Sequence, residues 1–120
     1  MFTSGQLPML AGELMARGLV GSDVDTDTAR SCAEQCALNA LAAASSVCDL
    51  ADVEKVVRLT GYVASAPGFT AQPAVIDAAS AVMQSAFGDA GRHAREAIGV
   101  ASLPLGAPVE LSLVLELRIP

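Results

Sequence analysis

The stretch Val109-Glu-Leu-Ser-Leu-Val-Leu-Glu-Leu117 decides the reading of the chain. Its odd positions, Val109, Leu111, Leu113, Leu115 and Leu117, are all apolar, while the even ones carry Glu110, Ser112, Val114 and Glu116. Side chains alternate across a strand, so this is a strand with one face in a core and one face outside it. Working back from it, Arg95 to Leu103 reads as another strand, and Pro73 to Phe87 as a helix with proline in its first turn and Gly88 at its stop. Val53 to Ser65, containing Val-Val-Arg-Leu-Thr-Gly-Tyr-Val, reads as a central strand. Before it, Ala33, Ala37, Ala40, Leu41, Ala44 and Val47 recur at three- and four-residue steps, which predicts an amphipathic helix from about Thr28 to Ser46. The Asp and Thr residues of Gly21 to Thr28 can cap its first turn. The first twenty residues, with short apolar runs between Gly and Pro, read as short strands or a hairpin. The order β-β-α-β-α-β-β predicts an α+β sandwich with two helices on one face of one sheet. The other face then carries Glu110, Ser112 and Glu116 and meets either water or a neighbouring subunit.

A chain of 120 residues supports one domain, here residues 1–120. With 52% hydrophobic and 17% charged residues it lies outside the disordered class. Its apolar runs are too short to span a membrane. The aromatics are few (Phe2, Tyr62, Phe69 and Phe87), and alanine and small aliphatics supply most of a mean hydropathy of +0.49. That balance fits either a tightly packed Ala-rich monomer or a protomer with apolar surface covered by another subunit. Seven basic residues are scattered and the net charge is -6, so no stripe tracks a phosphate backbone, and neither nucleic acid nor membrane is expected as partner. The start has no signal-peptide pattern, and Cys32, Cys36 and Cys48 lack further ligands at metal spacing. They read as small buried thiols in a cytoplasmic protein, with no metal and no cofactor expected.

Generic catalytic motifs are absent: there is no Gly-x-Ser-x-Gly, and Gly88-Asp-Ala-Gly91 lacks the Lys-Ser/Thr of a phosphate loop. His93, the sole histidine, reads as a surface or satisfied residue. Two charges stand out. Arg95 opens an otherwise small and apolar strand, where its planar fork suits a carboxylate, and Glu110 sits on the non-core face of the last strand, where it can orient or deprotonate water. Equally, both can be rim residues or pair with each other.

Phe2-Thr-Ser-Gly-Gln-Leu-Pro8, Leu59-Thr-Gly-Tyr-Val63, Phe87-Gly-Asp-Ala-Gly-Arg-His-Ala-Arg95, Leu103-Pro104 and Pro108-Val-Glu110 together resemble the Rid (YjgF-like, endoribonuclease L-PSP-like) family of reactive-intermediate deaminases. The resemblance covers nearly the whole chain. It implies a chorismate-mutase-like α+β fold with a mixed sheet, and a homotrimer with ligand clefts between subunits. It also implies cofactor-free hydrolysis of enamines or 2-imino acids to 2-keto acids and ammonia. Arg95 then grips the substrate carboxylate, Glu110 positions the attacking water, and Ser4, Gly5 and Asp77 line the cleft. Family members usually carry Asn at the Asp77 position, Cys where Ala97 stands, and a strand with a cleft Tyr before the Thr-Ser-Gly-Gln segment, neither of which falls within residues 1–120. The alternatives from the same resemblance are a non-catalytic trimer that binds small carboxylates and, least favoured by the charge, a ribonuclease.

Overall fold

The computed structural model describes residues 1–119 and follows the expected order of elements. A short hairpin pairs β1 (Met9–Leu10) with β2 (Glu13–Leu14), and then come α1 (Thr26–Ser45), β3 (Val53–Ala64), α2 (Gln72–Phe87), β4 (Ala94–Val100) and β5 (Val109–Leu117). The main sheet has the order β4-β3-β5, with β4 parallel and β5 antiparallel to β3. It is therefore mixed, as anticipated. Residues Met1 to Gln6 extend it beyond β5: Leu115 N–H donates to Met1 O, Thr3 N–H to Leu113 O, and Gln6 and Leu111 exchange both of their bonds. The N-terminal segment thus acts as a fourth, edge-forming strand rather than as part of the hairpin.

Local chemistry explains the helix limits. Asp25 caps α1, its carboxylate accepting from Thr28 N–H at 2.7 Å, and that bond holds the Asp25 carboxyl below its ordinary range. The helix begins two residues before the predicted Thr28 because Thr26 and Asp27 follow the cap. Pro73 sits in the first turn of α2, and Gly88, at φ +60°, ends it. The strand expected to run to Leu103 stops at Val100; Leu103 to Gly106 form a tight turn, with Leu105 and Gly106 both at positive φ.

Both helices lie on one face of the sheet. Ala29, Cys32, Ala33, Cys36, Ala37, Ala40 and Ala44 of α1 are buried together with Val75, Ile76, Ala79 and Met83 of α2 and with Leu111, Leu113 and Leu115 of β5. Burial raises the thiol pKa of both Cys32 and Cys36, and the Cys36 sulfur lies 3.7 Å from Val109 O. The three cysteines are free. Among the described residues no helix is long and apolar enough to cross a membrane.

In β3 the inward residues Val53, Val56 and Leu59 are three apart, a spacing that belongs to a helix rather than a strand. Two register shifts against β5 account for it. Val53 pairs with Leu117 and Lys55 with Glu116, then Val56 with Leu115 and Arg58 with Val114, so Glu54 and Val57 are extra residues in bulges. From Leu59 onward strict alternation returns, with Leu59, Gly61 and Val63 facing the helices.

Gly61 lets α2 approach: a Cβ there would overlap Ile76 Cδ1 and stand 2.7 Å from Cγ1. Gly61→Ala is therefore expected to destabilise the protein by about 1–3 kcal/mol, measured by urea unfolding, and an unchanged midpoint would contradict this packing.

Candidate functional site

Strand parity sorts the candidate residues into two groups. Arg95 pairs with Leu59 in the parallel ladder and so shares its helix-facing side. Its Nη1 donates to Asp77 Oδ1 at 2.7 Å and to Ser80 Oγ at 3.3 Å, both on α2. Glu110 pairs with Tyr62, one step out of phase with Gly61 and Leu111, and therefore lies on the opposite, open side. The two charged residues do not meet within one protomer. They are offset by three residues along β3 and by two strand spacings across the sheet, about 10 Å in each direction, with the sheet itself between their side chains.

Each residue has its own surroundings. On the open side, Gly5 lies directly over Glu110: a Cβ at Gly5 would strike Glu110 Oε2 and stand 3.0 Å from Cδ. Ser4 and Gly5 bulge out of the pairing between Thr3 and Gln6, whereas Ser4 is exposed at the helix side, beside the C-terminal end of α1. Thr60, Tyr62, Ile98, Ser112 and Val114 continue the open face, Phe2 joins it at the edge with 81% exposure, and Arg58 pairs with Glu96 across it.

On the helix side, a hydrogen-bonded chain extends the Arg95–Asp77 pair. Ser80 Oγ lies 2.9 Å from His93 Nε2, and His93 Nδ1 lies 2.6 Å from Gly91 O. A carbonyl only accepts, so Nδ1 bears a proton, and in neutral His93 Nε2 accepts the Ser80 hydroxyl proton. The half-buried His93 has both ring nitrogens satisfied, as read from the sequence, yet it belongs to the network around Arg95. Asp77, Ser80 and His93 border an open groove of about 470 Å³ between α2 and the turn before β4.

Ser80 and His93 were not among the expected site residues. The available signal was spacing: Asp77 and Ser80 are three apart on a helix and so share a face, and His93 is two residues before Arg95 on the approach to β4. Neither pattern is specific without knowing that α2 packs over the start of β4. The Asp77–Arg95 pair is half open to solvent, with side-chain exposures of 60% and 26%, and as a surface ion pair it contributes little to stability.

Residues 1–117 match the model of the YjgF/chorismate-mutase-like family, whose description carries a provisional endoribonuclease label. Protein TCP17 of Trypanosoma cruzi is 39% identical over 117 residues, spanning 96% of this chain and 73% of that protein. A protein of unknown function from Agrobacterium tumefaciens superimposes with a TM-score of 0.93 at 44% identity, covering 98% of this chain and 76% of that one. A Rid-family protein of unknown function from Yersinia pestis has a TM-score of 0.60 at 25% identity, covering 94% and 74% of the two chains. The chain belongs to the YjgF/chorismate-mutase-like (Rid) family.

The proximity of Gly5 to Glu110 yields a direct test of the open-face geometry. Gly5→Ala is expected to keep the thermal midpoint within about 3 °C, since the colliding group is the far end of a flexible side chain, while displacing the Glu110 carboxylate in a crystal structure. An unmoved carboxylate would contradict the contact.

Proposed function

We propose that this protein hydrolyses reactive enamines or 2-imino acids to 2-keto acids and ammonia in the cytoplasm, as a homotrimer whose sites lie between subunits. The observation that carries this reading is the half-buried Arg95 guanidinium, hydrogen-bonded to Asp77 and Ser80 where those two residues border a groove, at the position where the family resemblance places the carboxylate grip. Arg95 Nη1 carries both of its described bonds, which leaves Nε and Nη2 to present a planar fork to a substrate carboxylate.

An imine carbon is already electrophilic, so catalysis requires position more than power. With the carboxylate held by Arg95, a water placed by Glu110 attacks the C=N carbon. Glu110 takes one water proton and the nitrogen gains one, giving a carbinolamine. The hydroxyl proton then passes to the amino nitrogen as the C=O bond forms and the C–N bond breaks, and ammonia leaves. The sum is imine plus water to ketone plus ammonia, with no redox change.

Because Arg95 and Glu110 occupy opposite faces of one sheet, the reading requires Glu110 from a neighbouring protomer. The open face offers a surface for such a neighbour: Phe2, Ile98 and Val114 supply apolar area and Arg58–Glu96 a charge pair. Free thiols in all three cysteines suit a reducing compartment.

The test generates a 2-imino acid in situ with an amino-acid oxidase and follows ammonia release beside the spontaneous rate. Addition of the protein is expected to accelerate release, and Arg95→Ala to lower kcat/KM about 10- to 100-fold, the worth of a charge-assisted carboxylate contact. Equal rates for Arg95→Ala and the parent would remove Arg95 from the site. Carboxylate binding without any acceleration would instead mark a non-catalytic binder.

A further inference from the structure

The carboxylate-gripping arginine does not stand alone, because Asp77 Oδ1 lies 2.7 Å from its Nη1. A lone arginine in a groove attracts any small anion. One whose charge is already matched by an adjacent carboxylate does so weakly, since a bound anion also stands within a few ångströms of that negative group. The other charges near the groove do not restore a positive field: Arg92 is exposed and lies 3.9 Å from Asp89, and Ser80 and His93 form a hydrogen-bonded pair.

Resting on the assignment of Arg95 as the carboxylate anchor, we propose that the Arg95–Asp77 pair recognises a zwitterion. The ligand carboxylate takes the free edge of the guanidinium, and a protonated nitrogen on the adjacent carbon takes the exposed Asp77 carboxylate. Four alternating charges then close on one another, which neither a plain anion nor a plain cation can achieve. Among the described residues only Oδ1 of Asp77 is engaged, so Oδ2 is free to accept from a ligand N–H. Ser80 Oγ, 3.3 Å from the same Nη1, helps to hold the guanidinium in place.

The consequence for the reaction is directional. The site takes the 2-iminio acid, the protonated and more electrophilic form of the imine. The 2-keto acid product has lost its cation and faces Asp77 with a negative charge only, so it binds less well than what it came from. Asp77 is thereby a specificity-determining residue that disfavours product.

Calorimetry of the assembled protein at pH 7 with racemic 2-aminobutyrate, a stable zwitterion, and 2-ketobutyrate, an anion of similar size, tests this. The parent is expected to bind the amino acid about tenfold more tightly than the keto acid. Asp77→Asn, which keeps shape but removes the charge, is expected to weaken the amino acid and tighten the keto acid. Arg95→Ala is expected to abolish both. Preference of the parent for 2-ketobutyrate, or an Asp77→Asn change that moves both ligands alike, would overturn the zwitterion assignment. If that keto-acid binding still vanished in Arg95→Ala, the arginine's role would stand and only Asp77's would fall. Binding of neither ligand by the parent would overturn both.

Discussion

The register of β3 against its two neighbours is the constraint on which the rest of the molecule depends. Leu59, Gly61 and Val63 face the helices, and Thr60 and Tyr62 face away. The ladder transmits that parity to β4, where it turns Arg95 toward α2, and to β5, where it turns Glu110 to the open face. A slip of one residue in either ladder would exchange these faces and drive a leucine row into solvent. The two bulges early in β3 bring Val53 and Val56 to the same side as Leu59 and so keep this parity compatible with a continuous core.

Packing against that sheet is close because its residues are small. An alanine- and cysteine-lined α1 and the Gly61–Ile76 contact under α2 let the helices sit near the strands with little aromatic volume between them. The nearness of α2 to the start of β4 is what brings Asp77 and Ser80 to Arg95. The same economy leaves the opposite face of the sheet thinly covered, so that apolar residues and Glu110 share it.

Much of this was legible in the sequence. The alternation in Val109 to Leu117, the alanine spacing in α1 and the flanking Pro73 and Gly88 each report a local rule that tertiary packing did not overrule. The role of the first residues was not, because a chain pairing with β5 through Met1, Thr3 and Gln6 carries no alternation of its own and is defined only by its partner. Nor could the site be divided into two faces by inspection. Alternation places Glu110 on the non-core face, but Arg95 is a polar exception in an apolar strand, and only its pairing with Leu59 tells which side it occupies. The Asp77–Arg95 bond and its extension to His93 join residues whose proximity depends on the angle at which α2 crosses the sheet.

The central claim is that a complete site takes Arg95 from one protomer and Glu110 from another. Subunit mixing tests it most directly. Arg95→Ala and Glu110→Gln chains, each expected to be slowed in imine hydrolysis, are denatured together, refolded and assayed against each variant treated alone. The composite-site account predicts that the mixture regains a substantial fraction of the parent rate, because some interfaces then pair an intact Arg95 with an intact Glu110. A mixture no faster than its components, with hybrid oligomers shown to be present by native mass spectrometry, would contradict it.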